Sequence, residues 1–457
     1  MTRDAVRLRF RAGELSELLR LAGPVILARL GIMAMGLTDA VVVGRYSAEQ
    51  LGFHALAWAP TGAVLLAGIG LLTGVQVMTA RYVGAGRRNW TGGVFRRGLV
   101  YGWWIGLVSG ALLALLGPPF LHHLGLKGDL ADGAVAPLRV FSLSLPLYLM
   151  SIAASFYLEA LGRPKVVTAV MWAANAVNLG LNLLLVPGSF GLPALGAVGA
   201  ACATLGSRGF LMVVLVLIVL RMKEAHALGV WSKPQDGRDG ARTQRQVGYA
   251  AGVSYFVEAG AFSAMSLITG ALGAVQVAAW AVVLNVASII FMPPLGLATA
   301  TAVLVGRAYG AKDERGVAGA GVLGFLVSAA ISVVVVAVVW PGAGLIARGY
   351  SSDPALVAMA AAALVLSCLF YTADGLQVVA AQALRARGDV WMPTAIHIVN
   401  YGVLMGPLAW FLALKVGLGL NGVVWAVTAS SLASGCALVG RFLLLSRRRQ
   451  REVTAEA

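Results

Sequence analysis

Twelve long apolar runs, parted by short polar or glycine-rich breaks, dominate the chain: 15–43, 50–80, 98–121, 134–158, 166–187, 194–220, 247–272, 276–306, 317–340, 355–384, 391–415 and 420–445. Crossing a hydrocarbon core about 30 Å thick takes about 20 helical residues, and each run is long enough. Lipid offers no hydrogen-bond partner to exposed backbone, so such runs are helices. The expected fold is an all-α polytopic membrane protein with 12 transmembrane helices. One longer polar stretch, 222–246, follows the sixth run and carries Lys223, Lys233, Asp236, Arg238, Asp239 and Arg242. It reads as a flexible cytoplasmic linker between two halves.

The halves repeat. A shift of 226 residues lays Gly70, Leu71, Thr73, Val77, Arg81, Gly84 and Ala85 on Gly296, Leu297, Thr299, Val303, Arg307, Gly310 and Ala311. The same shift lays Leu158, Ala160, Gly162, Thr168 and Ala169 on Leu384, Ala386, Gly388, Thr394 and Ala395. Apolar composition alone gives scattered matches, whereas shared Arg and Gly at span ends point to duplication. The expectation is an N-terminal six-helix bundle over 1–221, the linker over 222–246, a C-terminal six-helix bundle over 247–446 and a cytoplasmic tail over 447–457. Six crossings return the chain to its starting side, so the bundles form a parallel repeat with pseudo-twofold symmetry along the membrane normal. Transporters use such symmetry for alternating access around a central cavity.

Composition agrees: 59% of residues are hydrophobic and 12% charged, against about 25% charged in soluble domains. The 57 glycines suit close helix contacts inside lipid. With both ends on one side, the opposite side holds only Arg45, Lys127, Arg139, Arg348 and Lys415 of the 35 basic residues. Positive residues gather inside, so both termini are expected in the cytoplasm, in a bacterial inner (plasma) membrane. The net charge of +16 is then an orientation signal, not a nucleic-acid surface, and Arg447, Arg448 and Arg449 fit anionic lipid. The basic leader at Arg3, Arg7, Arg9 and Arg11 reads as a plain start to the first span, without a cleavable signal. Cys202, Cys368 and Cys436 lie in spans without CxxC spacing and read as packing residues.

Against this background three acids stand out inside apolar runs: Asp39, Glu258 and Asp374. An acid at the centre of a span costs about 2.5 to 3.5 kcal/mol on insertion scales and persists where a cavity or partner accommodates it. Burial favours the protonated form of a carboxyl, so these are candidates to exchange a proton or bind a small cation. The bland alternative is an ion pair or hydrogen bond that locks two helices together. Asp39 lies ten residues beyond Arg29, about 15 Å along a helix, in the outer half of span 1. Span 5 carries Asn175, Asn178 and Asn182, and the i, i+4 spacing puts the last two on one face. Amides can serve a protonated or an ionised acid, so Asn178 and Asn182 are candidate neighbours of Asp39. Glu258 lies in span 7, and Asp374 in span 10 with Gln377 one turn on and Tyr371 one turn before. Two acids on different helices can share one proton and titrate as a unit, or hold a hard cation such as sodium with oxygen ligands.

Smaller signals complete the list. Met35, Met265, Phe262, Phe291, Met292 and Phe370 are candidate lining for an adaptable apolar cavity, with ordinary packing as the alternative. Pro24, Pro146, Pro293 and Pro294 mark bending points. His397 in span 11 is a candidate proton relay, with a satisfied structural histidine as the favoured alternative, and Arg208, a cation near the middle of span 6, reads as structurally paired or snorkelling, with cavity lining as the second reading. No phosphate loop, metal cluster or nucleophile triad occurs, so an enzyme is excluded and no cofactor is expected.

Four stretches carry a family resemblance. They are Leu21-Ala22-Gly23-Pro24 with Met35-Gly36-Leu37-Thr38-Asp39; Asn178 through Asn182 leading to Gly196-Ala197-Val198-Gly199; Tyr255-Phe256-Val257-Glu258; and Ala373-Asp374-Gly375-Leu376-Gln377-Val378-Val379-Ala380-Ala381. The chain resembles the multidrug and toxic compound extrusion family, its NorM-like branch in particular. The resemblance implies efflux of polyaromatic, often cationic, drugs driven by inward proton or sodium flow. It assigns Asp39 as the acid of the first lobe with Asn178 and Asn182 beside it, and Glu258 with Asp374 as the cation site of the second lobe. One departure is visible: members of the branch often place a tyrosine four residues before the second-lobe aspartate, where this chain has Phe370, which tilts the expectation toward protons. A flippase for lipid-linked sugars shares the broad architecture but calls for a basic cavity, and a channel calls for a continuous polar file. With the cavity inside one chain, a monomer suffices.

Overall fold

The computed structural model describes residues 13–123 and 129–456. The basic leader Arg3 to Arg11 and Lys127 lie outside the described residues. Among the described residues, twelve helical segments are long and apolar enough to cross a membrane: α1 (Glu14–Tyr46), α2 (Ala48–Gly84), α3 (Thr91–His123), α4 (Leu130–Ala160), α5 (Pro164–Leu185), α6 (Gly196–Arg221), α7 (Gly237–Leu272), α8 (Ala274–Gly310), α9 (Glu314–Tyr350), α10 (Pro354–Ala386), an eleventh span over Trp391–Lys415, and α13 (Gly419–Glu456). The eleventh span is irregular. α11 (Trp391–His397) and α12 (Gly406–Trp410) are joined by a wide π-helical stretch over Ile398–Met405, and a second one, Phe411–Lys415, follows α12. Such turns inside helices are frequent at functional sites.

Local chemistry sets the helix ends. Ser47 accepts from the Gln50 amide ahead of α2, and Asp313 from the Gly316 amide ahead of α9; Asp353 accepts from Ala355 with Pro354 at the first turn of α10. Each satisfies an amide that a helix start leaves open. The helices then pack through small residues. Gly102, Gly106 and Gly110 of α3 recur every fourth residue against the α4 backbone at Leu149, Pro146 and Ser142, the small-residue seam that membrane helices use in place of a hydrophobic drive. On α2, a methyl group at Gly74 would run into the backbone of Gln244 on α7.

The helix bounds carry the repeat as well. α2 and α8 begin at 48 and 274 and end at 84 and 310, both 226 apart. Two compact units emerge, one of residues 27–256 and one of 1–26 with 257–457. The first has its own core around Phe95, Phe141, Leu145 and Tyr157, and the second around Trp280, Phe370, Tyr401 and Val423. Leu115, Leu267, Val333 and Leu345 are exposed.

The stretch 222–246 departs from the expected flexible linker. Ala225, Leu228 and Val230 are buried, the Gly92 amide donates to the Leu228 carbonyl at 2.8 Å, and Arg97 pairs with Asp236. α7 begins at Gly237, well before the apolar run at 247, and its first turns up to Phe256 belong to the first unit. Three apolar side chains and an ion pair outweigh the chain entropy that a charged, glycine-containing stretch would otherwise keep. At the other end, α13 runs on through Arg447, Arg448 and Arg449 to Glu456.

Candidate coupling sites

In the first bundle, α1 carries Asp39 inward, 3% exposed. α5 presents Asn178 and Asn182 on one face, as their spacing requires, and both donate side-chain N–H to Oδ1 of Asp39, at 2.9 and 2.7 Å. Thr204 on α6 donates its hydroxyl to Oδ2 at 2.5 Å. Asp39 is thus saturated by neutral donors from two helices, and among the described residues no Lys, Arg or His approaches it within ion-pair distance. The amide oxygens of Asn178 and Asn182 have no hydrogen-bond partner among the described residues. Rotating either amide would present oxygen in place of N–H, so the same pair can hold an ionised acid, a protonated one or a hard cation. Asn175 is placed elsewhere: it donates to the carbonyls of Gly31 and Met171 and ties α5 to α1.

The same bundle holds the bland alternative for comparison. Arg29 on α1 meets Glu159 on α4 at 3.2 Å, both nearly inaccessible. Here a buried acid has a permanent cation. Sequence reading set Arg29 aside and missed Glu159, which stands at the end of an apolar run where charges are ordinary.

In the second bundle Gln377 is the hinge of the site. Its one amide nitrogen donates to Glu258 Oε1 at 3.2 Å and to Asp374 Oδ1 at 3.1 Å, so a single NH2 group bridges acids from α7 and α10. Asp374 is buried and Glu258 half-buried. Tyr401, in the first wide turn of the eleventh span, aims its hydroxyl at Asp374 Oδ1 at 3.4 Å and lies 3.1 Å from the Ser431 hydroxyl. Position 370 is Phe, and the tyrosine hydroxyl beside Asp374 comes instead from Tyr401. Tyr371 stacks on Phe370 with ring centroids 4.5 Å apart and makes no hydrogen bond to either acid among the described residues. His397 is buried, with its ring edge-on to Tyr401 at 5.6 Å.

The apolar candidates divide. Met35 lies beside Asp39 and accepts a contact from the Ser207 hydroxyl at 3.6 Å. Met265 and Phe370 are fully enclosed in the core of the second unit, with Phe262 packed against it, and Phe291 and Met292 are half-buried on α8 ahead of the Pro293-Pro294 pair. Among the described residues no cluster of three His, Cys, Asp or Glu side chains could grip a metal ion.

Comparison with known proteins decides the family. The MatE family profile matches residues 24–184 and 250–411. The chain belongs to the MATE family. The second match begins 226 residues after the first, the offset of the internal repeat. The chain is 55% identical over 444 residues, 97% of its length and 94% of the relative's, to the probable multidrug resistance protein NorM of Caulobacter vibrioides. It is 32% identical over 427 residues to multidrug resistance protein PmpM of Pseudomonas aeruginosa, with 92% of this chain and 86% of that one covered. In fold it matches the crystal structure of the eukaryotic MATE transporter AtDTX14 with a TM-score of 0.87 at 18% identity, covering 97% of this chain and 99% of that one. The resemblance read from four short stretches thus extends over nearly the whole chain, and the MATE protein is a multi-pass multidrug efflux transporter rather than an enzyme.

Proposed function

We propose that this transporter exports cationic, drug-like molecules across the bacterial inner membrane in exchange for protons, with both termini in the cytoplasm and one chain sufficient for transport. The carrying observation is Asp39, a buried acid served only by neutral donors. A purely structural acid at this depth would be expected to have a permanent cation, as Glu159 has in Arg29. Without one, the negative charge is available to whatever binds next, a proton from outside or a cation from the cytoplasm. Glu258 and Asp374 supply a second such acid pair, joined through Gln377. Protonation neutralises the acids and weakens the hold on a bound cation; by thermodynamic reciprocity, bound drug weakens proton binding by the same factor. Alternation between the two faces then converts inward proton flow into outward drug flow. Asp39, Glu258 and Asp374 carry the protons, with Asn178, Asn182, Thr204, Gln377 and Tyr401 as their hydrogen-bonding neighbours.

The test is export of a fluorescent cationic dye from proteoliposomes under a proton gradient alone and a sodium gradient alone. Protons alone should drive it. Movement driven by sodium and not by protons would replace the proton with a metal ion at the same carboxylates, a reading that the free amide oxygens of Asn178 and Asn182 support. Absence of movement under both gradients would refute the antiport reading.

A further inference from the structure

Arg208 is a buried cation that the coupling scheme leaves unused. It lies on α6, 4% exposed, and donates from Nη1 to the Ser144 hydroxyl at 2.6 Å. Its guanidinium carbon stands 4.5 Å from the ring centre of Tyr148 and 5.5 Å from that of Trp58. Among the described residues it makes no ion pair, and its Nε has no hydrogen-bond partner. Aromatic faces offset part of the desolvation of a buried cation, but they leave its charge uncancelled. Asp39, Met35, Trp58, Tyr148, Thr204 and Arg208 all line one cavity of about 30 Å³, room for about one water molecule. An acid and a base thus share one small chamber without forming an ion pair.

The groups around the chamber limit what else could set its charge. α1 contributes Asp39 and Arg29, and Arg29 is occupied by Glu159 of α4. α2 contributes His54, buried with its ring edge-on to Phe141 at 5.5 Å. α4 contributes Tyr148, and α5 the neutral Asn178 and Asn182. Asp39, as an exchangeable charge, and Arg208, as a fixed one, are the candidates that remain.

We propose that Arg208 is a fixed counter-charge that sets the sign of this chamber and so makes proton and cation mutually exclusive. The inference rests on the reading of Asp39 as an exchangeable acid. With Asp39 ionised, the two charges sum to zero and a cation near Asp39 is held moderately. With Asp39 protonated, Arg208 is left alone, the chamber becomes positive and a cation held beside it is repelled. Without Arg208, a cation would bind tightly to the ionised form and still linger on the protonated one, so turnover would stall at release. Arg208 acts here as a specificity-determining residue toward charge, not as a proton carrier.

The experiment compares wild type with Arg208→Gln and Arg208→Lys, measuring dye affinity in detergent at pH 5.5 and 8 and transport in proteoliposomes, for a monocationic dye and an uncharged aromatic dye. In Arg208→Gln the monocation should bind about tenfold tighter at both pH values, the effect of removing one like charge from a partly screened interior. Its KM and maximal rate should both fall, the uncharged dye should be unchanged, and Arg208→Lys should restore wild-type behaviour. A loss of affinity equal for both dyes, or no change for either, would overturn the proposal and leave Arg208 a packing residue. Asp39→Asn separates this from the underlying reading: if it leaves the pH dependence of monocation binding intact, Asp39 is not the exchangeable acid, whatever Arg208 does.

Discussion

The two bundles share a scaffold and share none of their chemistry. Under the 226-residue offset, Asp39 falls on Met265, Asn178 on Leu404 and Asn182 on Leu408. In the other direction Asp374 falls on Tyr148, Glu258 on Ile32 and Tyr401 on Asn175. The acids and amides that build a site in one bundle fall on apolar or differently employed residues in its twin, while Thr204 falls on another hydroxyl, Ser430. The position that bears the second bundle's acid bears, in the first, the aromatic ring that covers Arg208. What duplication kept is the packing layer: Gly70 and Gly296, Gly84 and Gly310, and helix ends in register. Packing tolerates few changes because membrane helices associate through close contact of small residues. The polar groups changed separately, so the two sites should be separable by mutation.

The sharpest break is between two acids of one bundle. Asp39→Asn should abolish proton-driven efflux, a loss of at least about a hundredfold if the acid makes transition-specific contacts worth about 3 kcal/mol, while thermal unfolding in detergent stays near wild type. Glu159→Gln should do the reverse: leaving Arg29 buried and unpaired costs about 3 to 5 kcal/mol, visible as a large fall in unfolding temperature. Equal instability of both variants would erase the distinction on which the site rests.

Next comes the second bundle. Asp374→Asn should abolish coupled efflux, and Gln377→Ala, which keeps both acids but removes their shared donor, should slow it about tenfold for about 1.5 kcal/mol of lost hydrogen bonding to charged groups. If Gln377→Ala transports at the wild-type rate, the bridge is incidental. Tyr401→Phe removes a single hydroxyl at 3.4 Å from Asp374 and should cost only about 0.5 to 1.5 kcal/mol, read as a few-fold change in the midpoint of the pH–rate profile with little change in maximal rate. The smallest effect belongs to Asn175→Ala. Its bonds to Gly31 and Met171 are helix glue worth about 0.6 kcal/mol, so transport should persist with a slight loss of thermal stability.

Much of this was legible before any coordinates. Long apolar runs leave helices as the natural choice, and a lone acid within such a run is costly enough that Asp39, Glu258 and Asp374 announce themselves. Asn178 and Asn182 were found because helical spacing puts them on one face. Thr204 and Tyr401 were not: a hydroxyl on a membrane helix is common, and nothing local says that it points at an acid on another helix, 165 residues away for Thr204 and 27 for Tyr401. The 222–246 stretch misled because its charge density signals solvent, although Ala225, Leu228 and Val230 between the charges were the trace of its burial. Arg208 was visible as an oddity, and only three-dimensional neighbours connect it to Asp39.

Coupling itself has a direct signature. Purified transporter in weak buffer is titrated with a cationic dye near neutral pH while released protons are measured. Dye binding to wild type should release protons, and Asp39→Asn should bind the dye with a much smaller release. Undiminished proton release from Asp39→Asn would contradict the claim that this acid, which has no ion-pair partner, exchanges a proton for the drug.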